Sequence, residues 1–171
     1  MVTQAYVAAG SNVEPIANLR RALDVLAAHF SPMRISRAYR NAAVGFTGDD
    51  FVNLVIGFDT ALGVRDVLER LHEAEAACGR ARNAPKWAPR AMDLDLLLFG
   101  DSIIDAPGIT LPRPDLVRRP YMLGPLAELA PNLRHATLGL TMGELWQRFD
   151  RDAHAMQIVD LAWPAGGSPS R

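Results

Sequence analysis

Cysteine and lysine are nearly absent from this 171-residue chain; each occurs once, as Cys78 and Lys86. A single cysteine excludes an internal disulfide and a cysteine-built zinc site. No apolar run approaches the roughly 18–20 residues that span a bilayer. At the N-terminus, MVTQAYVAAGSN has no basic region ahead of an apolar stretch, so it does not read as a secretory signal. The cytosol is the expected location. Charge of either sign is not in excess: 18 basic and 19 acidic residues leave a net charge of −1. That balance argues against nucleic acid or an anionic membrane as partner, since both favour basic domains. There is no GxxxxGK[ST] run, so a P-loop is not the phosphate binder. Low-complexity blocks, internal repeats and linkers are also missing. What remains, 49% hydrophobic and 22% charged, suits one folded domain over residues 1–163, with 164–171 read as a mobile tail.

Periodicity supplies the elements. Gln4–Ala9 reads as a strand ending in a tight turn at Gly10-Ser11-Asn12, a turn that lets backbone approach a ligand or a neighbouring loop. Ile16, Leu19, Leu23 and Leu26 recur at helical spacing, and Ser31-Pro32 closes that helix. Met33–Arg40 reads as a strand, Asn41–Asp50 as a loop and Phe51–Thr60 as a strand rich in β-branched and aromatic residues. Val64–Cys78 is a second helix capped by Gly79. Arg80–Arg90 is a loop, and Ala91–Phe99 is the clearest strand. Pro107, Gly108, Pro112 and Pro114 break up Asp105–Asp115. Tyr121–Leu129 and Thr141–Phe149 suit helices, and Met156–Ala162 a last strand. The order βαββαβ over residues 4–99 predicts an α+β, ferredoxin-like sandwich, an antiparallel sheet with helices on one face. Residues 100–162 form a C-terminal extension packed onto it.

Asp93 and Asp95 stand out in an otherwise apolar strand. Residues i and i+2 share a strand face, so these carboxylates point one way, roughly 7 Å apart, while Met92, Leu94, Leu96 and Leu98 point into the core. Water, arginines or a hard cation must offset their repulsion; oxygen-only donors favour Mg²⁺ or Mn²⁺, and Mg²⁺ is commonly held by one or two carboxylates plus substrate phosphates. A plain polar outer face of the sheet is the alternative. Ahead of the strand, GRARNAPKWAPRAMDLD carries Arg80, Arg82, Lys86 and Arg90 without an acid among them. Guanidinium forks match phosphate oxygens. A cationic loop leading into a carboxylate pair is a layout that suits phosphoryl transfer; otherwise it is a solvated charged loop. Phe51 and Asn53 share one strand face, and Tyr121 follows Arg118 and Arg119. Aromatic rings can stack on a flat heterocycle while an asparagine amide reads its edge; core packing is the competing reading for Phe51 and Tyr121. The four histidines lack metal-ligand spacing, and Cys78 reads as a small buried residue.

The run Lys86-Trp87-Ala88-Pro89-Arg90-Ala91-Met92-Asp93-Leu94-Asp95 resembles the signature of the 6-hydroxymethyl-7,8-dihydropterin pyrophosphokinases. Tyr6–Asn12, Tyr39–Gly45, Asp50–Asn53, Gly79–Arg82 and Leu111–Pro131 follow in the expected order, so the resemblance covers most of residues 4–132. It implies transfer of a diphosphate from ATP to the hydroxymethyl group of a dihydropterin, with release of AMP. It implies two Mg²⁺ ions on Asp93 and Asp95. Arg80, Arg82, Lys86 and Arg90, with Trp87, would close over the triphosphate. Glu75, Leu96 and Thr110 would lie near the nucleotide, and Arg113 and Arg119 near its phosphates. Phe51 and Tyr121 would sandwich the pterin, Asn53 would read its edge, and Asn41, Ala42 and Val44 would lie beside it. Small-molecule substrates and a monomer are expected. The chain departs from the family pattern at Asn41-Ala42, where Thr-Pro is common, at Asn83 and Ala88, where a basic residue and glycine are frequent, and at Arg113, where histidine is common. An RNA-binding module of the same fold would use Phe51 for stacking, but the chain lacks the RNP1 pattern, and Asp93 and Asp95 would repel backbone phosphates. A paralogue that binds pterin or nucleotide without turnover is a third reading.

Overall fold

The computed structural model describes residues 1–41, 49–79, 91–150 and 156–164. The centre of the molecule is a strand pair, β1 (Thr3–Ser11) against β4 (Phe51–Thr60), antiparallel over nine residue pairs. Their alternating small and branched residues are buried on both faces, so each face needs its own cover. The edge strand β5 (Asp93–Phe99) flanks β1. On the other side β2 (Met33–Ile35) and β3 (Ala38–Asn41) both pair with β4, and β8 (Gln157–Val159) closes the order β5-β1-β4-β3-β8.

Helices α1 (Pro15–Ala27) and α2 (Val64–Ala77) cover the first face. Leu19, Leu23, Leu26, Val67 and Leu71 pack there with Val7, Leu54, Ile56, Leu94 and Leu96. Phe30 stacks on Phe58 with ring centroids 4.1 Å apart. The second face is not bare. A 3₁₀ turn (Pro114–Val117), α3 (Pro120–Leu129) and α4 (Met142–Arg148) bury Tyr6, Ala8, Val55, Leu97 and Leu98 beneath Leu116, Met122, Leu123 and Leu126. The extension thus turns a two-layer sandwich into three layers, with helices on both faces rather than one. No helix among the described residues is long and apolar enough to cross a membrane.

Three local departures from simple periodicity shape the sheet and its edge. Met33–Arg40 is two strands, not one. The break is at Ser36, whose N–H donates to the Val55 carbonyl (2.9 Å) while its Oγ accepts from the Val55 N–H (2.9 Å), so a hydroxyl replaces a backbone carbonyl in the ladder. The register slips by one there, which puts Tyr39 and Asn41 on the second face, opposite Asn53 and Phe51. In β5 a second slip falls between the pairs Tyr6–Leu98 and Val7–Leu96. Leu98 therefore packs on the second face with Leu97, instead of joining Leu94 and Leu96 in the first core. Asp105–Asp115 is not structureless: β6 (Ile104–Ala106) and β7 (Ile109–Leu111) form a hairpin across Pro107-Gly108, with Gly108 at φ 79°, as a type II turn requires.

Residues 134–141 return the chain to α4 through a turn built on His135. Its Nδ1 accepts from the N–H groups of Thr137 (3.2 Å) and Leu138 (3.1 Å), so the buried ring must be neutral there. Burial holds its pKa below the ordinary 6.5. As pH falls, the unfolded chain takes the proton first. The stabilisation is therefore complete above about pH 6.5 and is lost as pH falls through the lower folded value. Urea midpoints of the wild type should drop between about pH 7.5 and 5.5 more steeply than those of His135→Asn. Equal slopes would show that His135 does not carry this dependence.

Candidate active site

The cross-strand register assembles the site. On the second face, one row across the sheet runs Asp93 (β5), Gly10 (β1), Asn53 (β4) and Tyr39 (β3). The next row runs Asp95, Ala8 and Val55, and a shorter one pairs Phe51 with Asn41. Gly10 and Ala8 thus put the smallest residues between the carboxylates of β5 and the amide and aromatic ring of β4. Gly10 lies inside β1 rather than in a turn. A Cβ there would stand 2.4 Å from Asn53 Oδ1, so the buried Asn53 amide leans into the room that glycine leaves. On its other side Asn53 Nδ2 donates to Asn41 Oδ1.

Asp93 and Asp95, both half-exposed, also line a cavity of about 310 Å³ on the outer edge of β5. Glu75 and His72 of α2 enter it from one side, Thr110 of β7 and Arg113 from the other, with Leu96 along its wall. Glu75 Oε2 accepts the Leu94 N–H at 2.9 Å, which satisfies a donor on the unpaired edge of the sheet. Arg113 is anchored by its own N–H to the Leu97 carbonyl (3.0 Å), and its Nη2 lies 3.3 Å from Asp95 Oδ1. Tyr121, at the start of α3, is close enough for its hydroxyl to sense Arg119, Asp115, Asp95 and Arg113, and burial holds its pKa above the usual phenol value.

Helix α3 is fixed to the sheet by Glu128. That carboxylate accepts from the Arg37 N–H (2.8 Å), the Arg37 Nε (3.1 Å) and the Tyr39 hydroxyl. Burial first, and Glu128 second, push the Tyr39 pKa up to about 12, so the phenol stays a donor at any physiological pH.

Of the residues singled out in the sequence, the structure gathers Asp93, Asp95, Glu75, Leu96, Thr110 and Arg113 around one cavity, with Tyr121 in electrostatic reach of both Asp95 and Arg119. Asn41, Phe51 and Asn53 share the sheet face across Gly10. Ala42, Val44, Arg80, Arg82, Lys86, Trp87 and Arg90 lie outside the described residues, as do Asn83, Ala88 and 165–171. His72, set aside because the histidines lack metal-ligand spacing, lines the cavity; its spacing of three from Glu75 puts both on one helical face and was the available signal. Tyr39 and Glu128 were not singled out, because their meeting depends on the slip at Ser36. Among the described residues no group of three or more acidic, histidine or cysteine side chains is arranged to hold a metal. The two same-face carboxylates still fit Mg²⁺, which commonly takes one or two protein carboxylates and completes its shell with water and phosphate oxygens.

Residues 6–131 match the family described as 7,8-dihydro-6-hydroxymethylpterin-pyrophosphokinase (HPPK). A relative from Pseudomonas aeruginosa, named 2-amino-4-hydroxy-6-hydroxymethyldihydropteridine pyrophosphokinase, is 38% identical over 138 residues, 78% of this chain and 85% of its own. One of the same name from Synechocystis is 35% identical over 149 residues, 85% of this chain and 76% of its own. Among solved structures, Plasmodium falciparum HPPK-DHPS with pterin and p-hydroxybenzoate superimposes with a TM-score of 0.70 at 13% identity. Its A437G form with SDX-DHP gives 0.71, also at 13%. These matches cover 86% of this chain and only 42% and 45% of those longer chains, and they show the shared fold. The chain belongs to the 7,8-dihydro-6-hydroxymethylpterin-pyrophosphokinase family.

Proposed function

We propose that this chain is a cytosolic, monomeric enzyme that moves the terminal diphosphate of ATP to the hydroxymethyl group of 6-hydroxymethyl-7,8-dihydropterin and releases AMP. The observation that carries this is the placement of Asp93 and Asp95. They line the cavity of Glu75, Thr110 and Arg113 and also share a sheet face with Asn53 and Phe51, across the gap at Gly10. A nucleotide in the cavity at the β5 edge and a heterocycle over β4 would meet at that pair.

The base would lie along the outer edge of β5. The Leu94 N–H already points there, and strand alternation turns the Leu96 N–H and carbonyl the same way, a donor and an acceptor for a purine edge. Arg113 and Arg119 would bind phosphate oxygens, joined by Arg80, Arg82, Lys86 and Arg90 from the segment entering β5, with Trp87 shielding them from water. Phe51 and Tyr121 would hold the pterin ring. Asn53, positioned by Asn41, would read its donor and acceptor edge, beside Ala42 and Val44. Asp93 and Asp95 would hold two Mg²⁺ ions, which when bound neutralise phosphate charge and lower the pKa of a coordinated hydroxyl. The protein's own work is alignment of the hydroxymethyl oxygen with the β-phosphorus and exclusion of water.

A coupled assay for AMP with ATP, Mg²⁺ and the hydroxymethyl dihydropterin tests this, with AMP formation dependent on the pterin as the expected result. A folded sample that gives no AMP above background rejects it. Calorimetric binding of both ligands without AMP would assign the chain as a binding paralogue instead.

A further inference from the structure

We infer that Arg113 is a resident counter-cation of Asp95 that phosphate draws away, so that this chain couples metal binding to nucleotide binding. The inference rests on the reading of the β5-edge cavity as the nucleotide site. The Arg113 backbone is fixed at both ends: its N–H bonds Leu97 O (3.0 Å) and its carbonyl accepts the Leu116 N–H (3.1 Å) that starts the 3₁₀ turn. The long side chain is what can move. In the present position Nη2 reaches Asp95 Oδ1 at 3.3 Å. Nε is buried but makes no hydrogen bond among the described residues, and Asp115 Oδ2, at 3.9 Å, is too far to accept one.

A buried guanidinium N–H left unmatched makes this position a poor resting place. Phosphate oxygens offer the paired acceptors that the fork is shaped for. Asp95 and Arg113 line the same cavity, so a phosphate held there would lie near the Arg113 fork. A cation arriving alone must compete with Arg113 for Asp95. A cation arriving with a polyphosphate meets Asp95 relieved of its contact with Arg113. Coupling of this kind is reciprocal, and its usual floor is about fivefold.

The test uses Mn²⁺ as the probe. Binding of Mn²⁺ alone is followed by the loss of its free EPR signal, and binding of the Mn²⁺ complex of a non-hydrolysable ATP analogue by calorimetry. In Arg113→Met, Mn²⁺ alone should bind about fivefold tighter than in the wild type, while the analogue complex binds at least fivefold more weakly. Arg113→Lys, which keeps the charge, should leave the affinity for Mn²⁺ alone near the wild-type value. A merely structural role would weaken both ligands together. Unchanged or weaker binding of Mn²⁺ alone by Arg113→Met overturns the inference, and leaves the nucleotide site standing if the wild type still binds the analogue complex. Failure of the wild type to bind that complex overturns the nucleotide reading, and the inference with it.

Discussion

Asp95→Asn should lower AMP formation about a thousandfold or more and leave the fold intact. The substitution keeps the shape of the side chain and removes only its charge. Its expected cost to stability is small, and the two local terms have opposite signs. The pair with Arg113 is partly solvated, with 28% of the Asp95 side chain and 36% of the Arg113 side chain exposed, and such pairs contribute about 0–1 kcal/mol. Against that, removing one of two like charges on neighbouring same-face positions relieves repulsion with Asp93. Catalysis has no such offset, because a neutral amide can neither hold a hard cation as a carboxylate does nor supply the second negative oxygen beside Asp93. Asp93→Asn should act in the same direction. The checks are AMP release at saturating ATP and Mg²⁺, with urea midpoints and circular dichroism on the same samples. Turnover within tenfold of the wild type in a folded protein would remove the carboxylate pair from the mechanism.

The carboxylate pair was legible in the sequence because one rule, the two-residue alternation of a strand, suffices to place it. The helices α1 and α2 were legible for a similar reason: Leu19, Leu23 and Leu26, then Val67 and Leu71, form uninterrupted faces. Leu98 shows where alternation stops working. A register slip is a property of two strands together, and nothing in AMDLDLLLF says that Leu97 and Leu98 will both turn to one side. Ser36 is the same case in reverse, since its hydroxyl substitutes for a carbonyl only once Val55 lies opposite. That slip brings Tyr39 to Asn53 and so to Glu128, 89 residues away in the chain. Which face the extension covers was hidden because α3 is apolar nearly all round and contains Pro125, so it has no strong periodic stripe to announce which side it presents. In the structure a reciprocal capping box, Thr141-x-x-Glu144, marks the start of α4.

Gly10→Ala should separate the two halves of the site. Gly10 pairs with Asp93 on one side and Asn53 on the other, yet an added methyl meets them unequally. Its nearest neighbours would be Asn53 Oδ1 at 2.4 Å, Asn53 Cγ at 3.4 Å and Phe51 Cδ1 at 3.9 Å, with no atom of Asp93 among them. A gap of 2.4 Å forces the amide to move, and its retreat is blocked by the hydrogen bond from Nδ2 to Asn41. The methyl therefore turns Asn53 away from the proposed pterin position and spoils that hydrogen bond as well. Losing two matched amide groups at about 1–3 kcal/mol each corresponds to roughly a hundredfold in kcat/KM for the pterin. The nearest neighbours of the added methyl, Asn53 and Phe51, do not line the cavity at the β5 edge, so the affinity for the Mg²⁺–nucleotide complex should stay within about twofold. The double variant Gly10→Ala/Asn53→Ala isolates the contact. With the amide gone there is nothing left for the methyl to displace, so the pair should be no worse than Asn53→Ala alone. Additive losses, or an equal loss of nucleotide affinity in Gly10→Ala, would mean that Gly10 spaces the whole sheet end rather than making room for one side chain.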